Sequence, residues 1–402
     1  MPWSHRVPGH YDESDTSVCS GGVGPGGTST VARFLPDGSI IAMAGDWQQV
    51  TIGYQRGDEW WVESFSTVDQ QNQSPTLVVG AAGDVLAAWL QVNGALSIVH
   101  LLDSTWEELG VGATGFVPHG PTEPVVGVVS LAVDTLGRAI MGWTEDVGVD
   151  GTCVYVARLN GDVWEEIEGS ASTSGVSIPG SRASGVQIAV SQSDEIFVLW
   201  ESWPENRLYL RYFDGNSWVD LAGTGAGDGF GANRHDLPSM VIASDGHPMV
   251  GSATAIAGTS SQFSYGIVRW TGSSWEELPP VEISYETYNH DLSLTSDRDG
   301  NPIVSWISGG YIPGSISETY VKRLENDSWT EVNDSATAGG VSNSDQRTLS
   351  LSVTATADRI CVAWSENEPG YDPDPSVDTD DGNPPEYRKG GEPRLLVRCS
   401  EY

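Results

Sequence analysis

Apolar and polar residues alternate along this chain in short runs and never in long ones. In residues 286–332, "HDLSLTS" alternates as a half-buried strand does. "DRDGN" then makes a turn. "PIVSWIS" is more apolar, so it reads as a deeper strand. "TYVKRL" is a third strand, "ENDS" a second turn and "WTEV" a short fourth strand. Four antiparallel strands joined by hairpins and repeated radially describe a propeller blade.

The same grammar recurs along the whole chain. Trp3, Trp60, Trp106, Trp164, Trp218, Trp275 and Trp329 share one local phrase at spacings of 46 to 58 residues. Recurrence at that period means an array of similar supersecondary units. Strand two reads "DVLAAW", "RAIMGW", "EIFVLW", "NPIVSW" and "RICVAW". It puts Trp89, Trp143, Trp200, Trp306 and Trp364 in one column, with Met43 and Ser252 in the two deviant units. Such a column on an apolar strand is expected to pack between sheets. Strand three gives a basic column, Arg158, Arg211, Arg269, Arg323 and Arg398, expected to pair with acidic residues of neighbouring strands.

The last unit supplies only three strands before Tyr402, and the missing Trp phrase stands at the other end as "MPWSHRV". The expected fold is therefore an all-β, seven-bladed β-propeller with four-stranded antiparallel blades. Its ring is closed by the N-terminal strand, residues 1–9, completing the C-terminal blade, which removes two exposed edges. Residues 1–402 form a single domain with blades at about 29–66, 73–111, 125–170, 183–223, 236–280, 290–334 and 346–402. Residues 10–28 are a Gly-rich connector, and the Gly-, Ser- and Thr-rich segments between blades are loops within the repeat.

Charge narrows the partners. Asp and Glu number 55 against 19 Lys and Arg, a net charge of −36, and Lys322 and Lys389 are the two lysines. That surface repels phosphate backbones, so nucleic acid is excluded as a partner. It suits cations, or a saline exterior where repulsion is screened. No apolar run approaches the roughly 20 residues needed to span a membrane. "MPWSHRVPG" is not a signal peptide and reads as a trimmed mature end. Cys19, Cys153, Cys361 and Cys399 allow two disulfides, one or none; Cys361 and Cys399 fall on neighbouring strands and are the best pair. The expectation is a secreted or cell-surface monomer whose partner is a glycan or an extracellular protein, with a purely structural surface or assembly module as an alternative.

The phrases "SATAGGVSNS", "DRDGNP" and "IVSW", with W-x-E before them, resemble repeats of uncharacterised propeller proteins secreted by environmental bacteria. The resemblance covers nearly the whole chain. More distantly, it is similar to sialidase-type propellers and propeller polysaccharide lyases. It implies the fold and leaves the activity open. The S-x-D-x-G-x-T-W box of sialidases is absent.

In a four-stranded antiparallel blade, the loops between strands two and three share a face with the connectors between blades. This loop-rich face is the expected binding face. His235 and His290 each precede an Asp and open the innermost strands of adjacent blades, with Arg234 and Tyr288 nearby. A His beside Tyr and Arg can abstract a proton next to a uronate carboxylate, as a lyase does. The bland alternatives are a loop-capping His-Asp pair and a metal-ligand pair. The exits of strand two carry Asp46, Trp47, Glu145, Asp146, Glu201, Trp203, Tyr311 and Glu366, aromatic and acidic groups suited to stacking on sugars and accepting from their hydroxyls, or else an ordinary solvated rim. Asp372, Asp374, Asp378, Asp380 and Asp381 crowd one Pro- and Gly-rich loop, either a calcium site or a solvated acidic loop. No phosphate-binding Gly loop, zinc-type Cys pair or nucleophile elbow is present.

Overall fold

A computed structural model describes residues 4–5, 19–20, 29–45, 49–56, 59–66, 72–80, 83–91, 96–102, 105–109, 129–146, 151–161, 163–171, 175–177, 182–203, 207–225, 229, 235–255, 262–284, 291–309, 316–335, 339–344, 348–366 and 394–401. Every element among them is a β-strand. No helix among the described residues is long and apolar enough to cross a membrane.

Strands β1 (Ser4–His5) and β2 (Cys19–Ser20) precede the first four-stranded sheet. That sheet runs β3 (Ser29–Phe34), β4 (Ile40–Gly45), β5 (Gln49–Arg56), β6 (Glu59–Ser66). The second runs β7 (Asn72–Val79), β8 (Val85–Gln91), β9 (Leu96–Leu102), β10 (Thr105–Glu108). An eight-stranded sheet follows, made of two four-stranded antiparallel runs. One is β11 (Val129–Val133), β12 (Ala139–Asp146), β13 (Thr152–Asn160), β14 (Val163–Glu166). The other is β15 (Arg182–Val190), β16 (Ile196–Trp203), β17 (Arg207–Phe213), β18 (Trp218–Asp220). A parallel bridge between Thr152 and Arg182 joins the two runs.

The next sheet is β19 (His235–Ile242), β20 (Pro248–Ala255), β21 (Gln262–Trp270), β22 (Trp275–Glu277), with β23 (Val281–Ser284) also on β21. Pro279 and Pro280 cannot donate to a ladder, so the outer strand there is broken into β22 and β23. Then come β24 (Leu292–Ser296), β25 (Pro302–Gly309), β26 (Ser317–Glu325), β27 (Ser328–Glu331). The last sheet holds β28 (Thr348–Ala355), β29 (Arg359–Glu366), β30 (Arg394–Glu401), with β1 beyond β30 and Ser4 opposite Cys399. The Gly-rich connector also contributes a strand, since β2 pairs β30 at Leu395 and Arg394.

The core lies between sheets. One cluster joins β8 and β9 to β11–β14 through Leu86, Ile98, Met141 and Trp143. Others join the two halves of the eight-stranded sheet, β16–β17 to β20, the β19 sheet to the β24 sheet, and the β24 sheet to the last. Cys361 and Val397 of the last sheet pack with Ala32 and Trp60 of the first, and Met43 of the first packs with Trp89 of the second. The Trp column is thus inter-sheet packing, as expected. Trp143, Trp200 and Trp306 also stack on the Tyr directly opposite, Tyr155, Tyr209 and Tyr320, with centroids 5.6 to 5.7 Å apart.

The first strands touch in succession, β3 on β7, β7 on β11, β11 on β15, β15 on β19, β19 on β24, β24 on β28 and β28 on β3. Side chains bind neighbouring backbone there. Ser130 accepts from Ile188 N–H, Ser293 from Val353 N–H and Ser352 from Ala32 N–H.

The repeated outer Trp is a clasp. Trp218 Nε1 donates to Ile167 O at 2.7 Å, Trp275 Nε1 to Leu221 O at 3.3 Å, and Trp329 Nε1 to Pro279 O at 2.8 Å. Each acceptor lies just past the outer strand of the preceding unit. The Arg column divides. Arg158, Arg269 and Arg323 face Asp134, Glu276 and Asp297 as expected. Arg211 and Arg398 instead donate to the carbonyls of Val176 and Val341 in the preceding connector.

Those connectors are built alike. Ser177 Oγ accepts from Val154 N–H and Ser342 Oγ from Thr319 N–H. Ser170 and Ser335 donate to Val156 O and Val321 O. Gly175 and Gly340, with φ of 60° and 53°, lie where a Cβ would run into the Val154 and Thr319 carbonyls. The "GGVSN" phrase is therefore a backbone clamp on strand three.

Cys361 and Cys399 form a disulfide between β29 and β30, across directly opposed positions. Cys153 is buried on β13.

Candidate functional site

The loop-rich ends of the second strands carry the described members of the expected rim. Glu145 follows Trp143 by two positions on β12, and Glu366 follows Trp364 by two on β29. Trp143 Nε1 donates to Glu145 Oε2 at 3.4 Å and Trp364 Nε1 to Glu366 Oε2 at 3.0 Å. Glu145 is 0% exposed and Glu366 6%. Both carboxylates therefore lie beneath the rim rather than on it, which sets aside the ordinary solvated rim for these two residues. The indole N–H that faces along the strand draws them inward. Glu201 is half-buried on β16, opposite Ser184 and Leu208.

Glu366 belongs to a larger polar cluster where β26, β29, β30 and the 339–344 connector meet. Ser344 Oγ donates to Glu366 Oε2 at 2.9 Å, and Ser344 N–H to Glu318 Oε2 at 3.4 Å. Ser342 Oγ also donates to Glu318 Oε2. Arg398 lies 5.6 Å from the centroid of the Trp364 ring. Burial, and then the neighbouring Glu366 charge, push the Glu318 carboxyl above its ordinary range, against its hydrogen bonds from Ser342 and Ser344. Burial lowers the Arg398 pKa, and the charges of Glu366 and Glu318 act against that. Glu318 and Ser344 were missed from sequence. The available signal was a carboxylate at the start of strand three, where β13 has Cys153.

The other expected residues fall as follows. His235 opens β19 opposite Thr254, Asp146 ends β12 opposite Thr152, and Trp203 ends β16 opposite Arg182; for these three the backbone alone is described. Arg234, Tyr288, His290, Asp46, Trp47 and Tyr311 lie outside the described residues, as do Asp372, Asp374, Asp378, Asp380 and Asp381. Among the described residues, no group of three or more His, Cys, Asp or Glu side chains is placed to hold a metal ion.

Asp291, the partner in the second His-Asp dipeptide, clamps two first strands. Its Oδ1 accepts from Leu292 N–H at 3.0 Å and its Oδ2 from Leu351 N–H at 2.7 Å. Burial raises its pKa to about 7, against the effect of those two bonds.

On the opposite face, the ends of β15, β19, β24 and β28 border an open depression of about 380 Å³ that includes Ile242, Ser244, Ser296, Arg298 and Thr356. It lies among the short turns. Its carboxylate, Asp297, is already committed to Arg323 and to its own turn.

No protein-family model matches this sequence, and no curated protein matches it. Solved structures do match its fold. A polysaccharide lyase of a family described as new, an ulvan lyase bound to -[GlcA(1-4)Rha3S]-, is similar over 95% of this chain and 95% of its own, with TM-score 0.53 and 12% identity. AofleA from Arthrobotrys oligospora is similar over 82% of this chain and 93% of its own, with TM-score 0.50 and 11% identity. A fucose-specific lectin from Aleuria aurantia matches over 75% and 94%, with TM-score 0.47 and 13% identity. The chain has an all-β, propeller-like fold with several four-stranded antiparallel sheets.

Proposed function

We propose that this chain is a seven-bladed propeller, closed by pairing of its two ends, that binds a neutral glycan on its loop-rich face. The unbroken succession of first-strand contacts from β3 round to β28 and back supports seven blades and closure. The observation that carries the binding role is the cluster of Glu318, Glu366, Ser342 and Ser344 at that face. Buried carboxylates cost stability unless they are paired, and so they concentrate where a ligand is recognised. The likeness in fold to an ulvan lyase with an oligosaccharide bound supports a carbohydrate ligand. A net charge of −36 repels polyanions, which favours uncharged sugars. The Cys361–Cys399 disulfide supports secretion or surface display. Asp372, Asp374, Asp378, Asp380 and Asp381 are the candidate calcium ligands. A glycan array probed with and without Ca²⁺ tests this reading; retention confined to uronate polymers, or none, counts against it.

A second reading, a polysaccharide lyase using His235, His290, Tyr288 and Arg234, has one specific support. β19 and β24 are in contact, and His235 opens the one while Asp291 stands just before the other. Absorbance near 235 nm, measured with acidic polysaccharides in high salt, separates the readings: a rise means unsaturated uronate ends and hence a lyase.

A further inference from the structure

The outer strands of the sheets are not alike. β10, β14 and β27 have four residues each, and β18 and β22 three, whereas β6 has eight, paired with β5 along its whole length. The two positions after the clasp Trp differ as well. They hold Glu107-Glu108, Glu165-Glu166, Val219-Asp220, Glu276-Glu277 and Thr330-Glu331 in those five strands. In β6 they hold Trp61-Val62, which are 49% and 42% exposed.

The cause of the common pattern is physical. An edge strand offers unpaired backbone groups, and shortness and outward charge keep other strands from adding to it. β6 lacks both protections. It ends its sheet, and no strand among the described residues pairs with its outer side. Its anchoring is secure on both flanks. Trp60 is buried against the last sheet, and Phe65 lies 5.4 Å from Trp89 and 6.0 Å from Trp106. The strand is therefore held rigid while about 27 Å of edge, at about 3.4 Å per residue, stays presentable.

We propose that the outer edge of β6 is a docking edge that adds an extended, cationic segment of a partner protein as a further antiparallel strand. Charge selects the occupant. The chain carries −36, and Glu63 lies between the two exposed apolar residues and Phe65 on this strand. Trp61 and Glu63 share the face of Phe65 and Val62 lies on the face of Trp60, so a segment alternating basic and apolar side chains meets Glu63 and the Trp61 indole with its cations and Val62 with its apolar groups. A cation over the exposed indole adds attraction. A second copy of this chain would bring another −36 to the same edge and is disfavoured.

The test uses a blocked ten-residue peptide alternating Lys and Val, with a second peptide carrying a central Pro as control. Hydrogen exchange of the amides of residues 59–66 is followed with and without peptide. The alternating peptide should slow exchange in β6 by about tenfold or more, and the Pro peptide should not. Raising salt from about 0.05 M to 0.5 M should weaken binding by about tenfold. The double variant Trp61→Lys, Val62→Lys sets like charge against the peptide on this edge and should lose the effect while keeping the melting temperature. Trp61→Lys with Val62→Thr serves if the first variant folds poorly. Protection elsewhere than β6, or equal binding by both variants, overturns the proposal. So does a doubled mass in light scattering that either variant abolishes, since the occupant is then a second copy.

Discussion

Trp329 donates its indole N–H to the carbonyl oxygen of Pro279, 2.8 Å away and beside the outer strand of the preceding sheet. Trp218 and Trp275 do the same to Ile167 and Leu221. The recurring Trp is thus a stitch between units, which is why it recurs at the unit period. Trp329→Phe removes the bond and should cost about 1 kcal/mol, and Trp329→Ala about 3 kcal/mol, in urea unfolding. Equal costs for the two would mean the bond contributes nothing.

Gly340 runs beside Thr319 with φ of 53°, and a Cβ there meets the Thr319 carbonyl. Gly340→Ala should cost more than about 2 kcal/mol, since the conformation alone costs about 1–2. Gly161 has φ of 61° but open space around it, so Gly161→Ala should cost only about 1 kcal/mol. Thermal denaturation of the two variants side by side checks the difference.

The strands were legible because side-chain burial is periodic. "PIVSWIS" and "TYVKRL" lie within β25 and β26, and the Trp column stands between sheets. The site was less legible. A strand pattern tells which end of a strand Glu145 and Glu366 occupy, but not that an indole two positions earlier draws each carboxylate inward. Glu318 and Glu366 lie 48 positions apart and meet only when two sheets pack, and no local pattern reports that. Similarly, β2 is too short to show a pattern and depends on β30 being in place, while β23 alternates over only four residues and its start is set by Pro279 and Pro280.

Asp291 gives a pH signature. Its folded carboxyl keeps its proton up to about pH 7, while the unfolded chain releases it near 3.8. A raised folded pKa means that its contribution is fully present below pH 3.8 and is lost as pH rises to about 7. Wild type should therefore lose stability relative to Asp291→Asn across that window, read from urea midpoints at successive pH values. Parallel profiles would show that the carboxyl titrates normally.

Trp364 and Trp200 occupy equivalent positions with different partners. Trp364 Nε1 binds Glu366, whereas the buried Trp200 Nε1 meets no acceptor among the described residues. Trp364→Phe should cost about 1–2 kcal/mol more than Trp200→Phe, because it leaves a buried carboxylate with one donor fewer. Chemical denaturation of both variants measures the difference.

The account rests most heavily on a glycan site at the loop-rich face. Its most direct test is calorimetric titration of the neutral glycan with the highest array signal into wild type, Glu366→Gln, Trp203→Ala and the turn-face variant Arg298→Ala. The account expects Glu366→Gln and Trp203→Ala to weaken binding by about tenfold or more, and Arg298→Ala to bind like wild type. Binding that survives the first two variants and fails in Arg298→Ala would move the site to the opposite face and contradict the account.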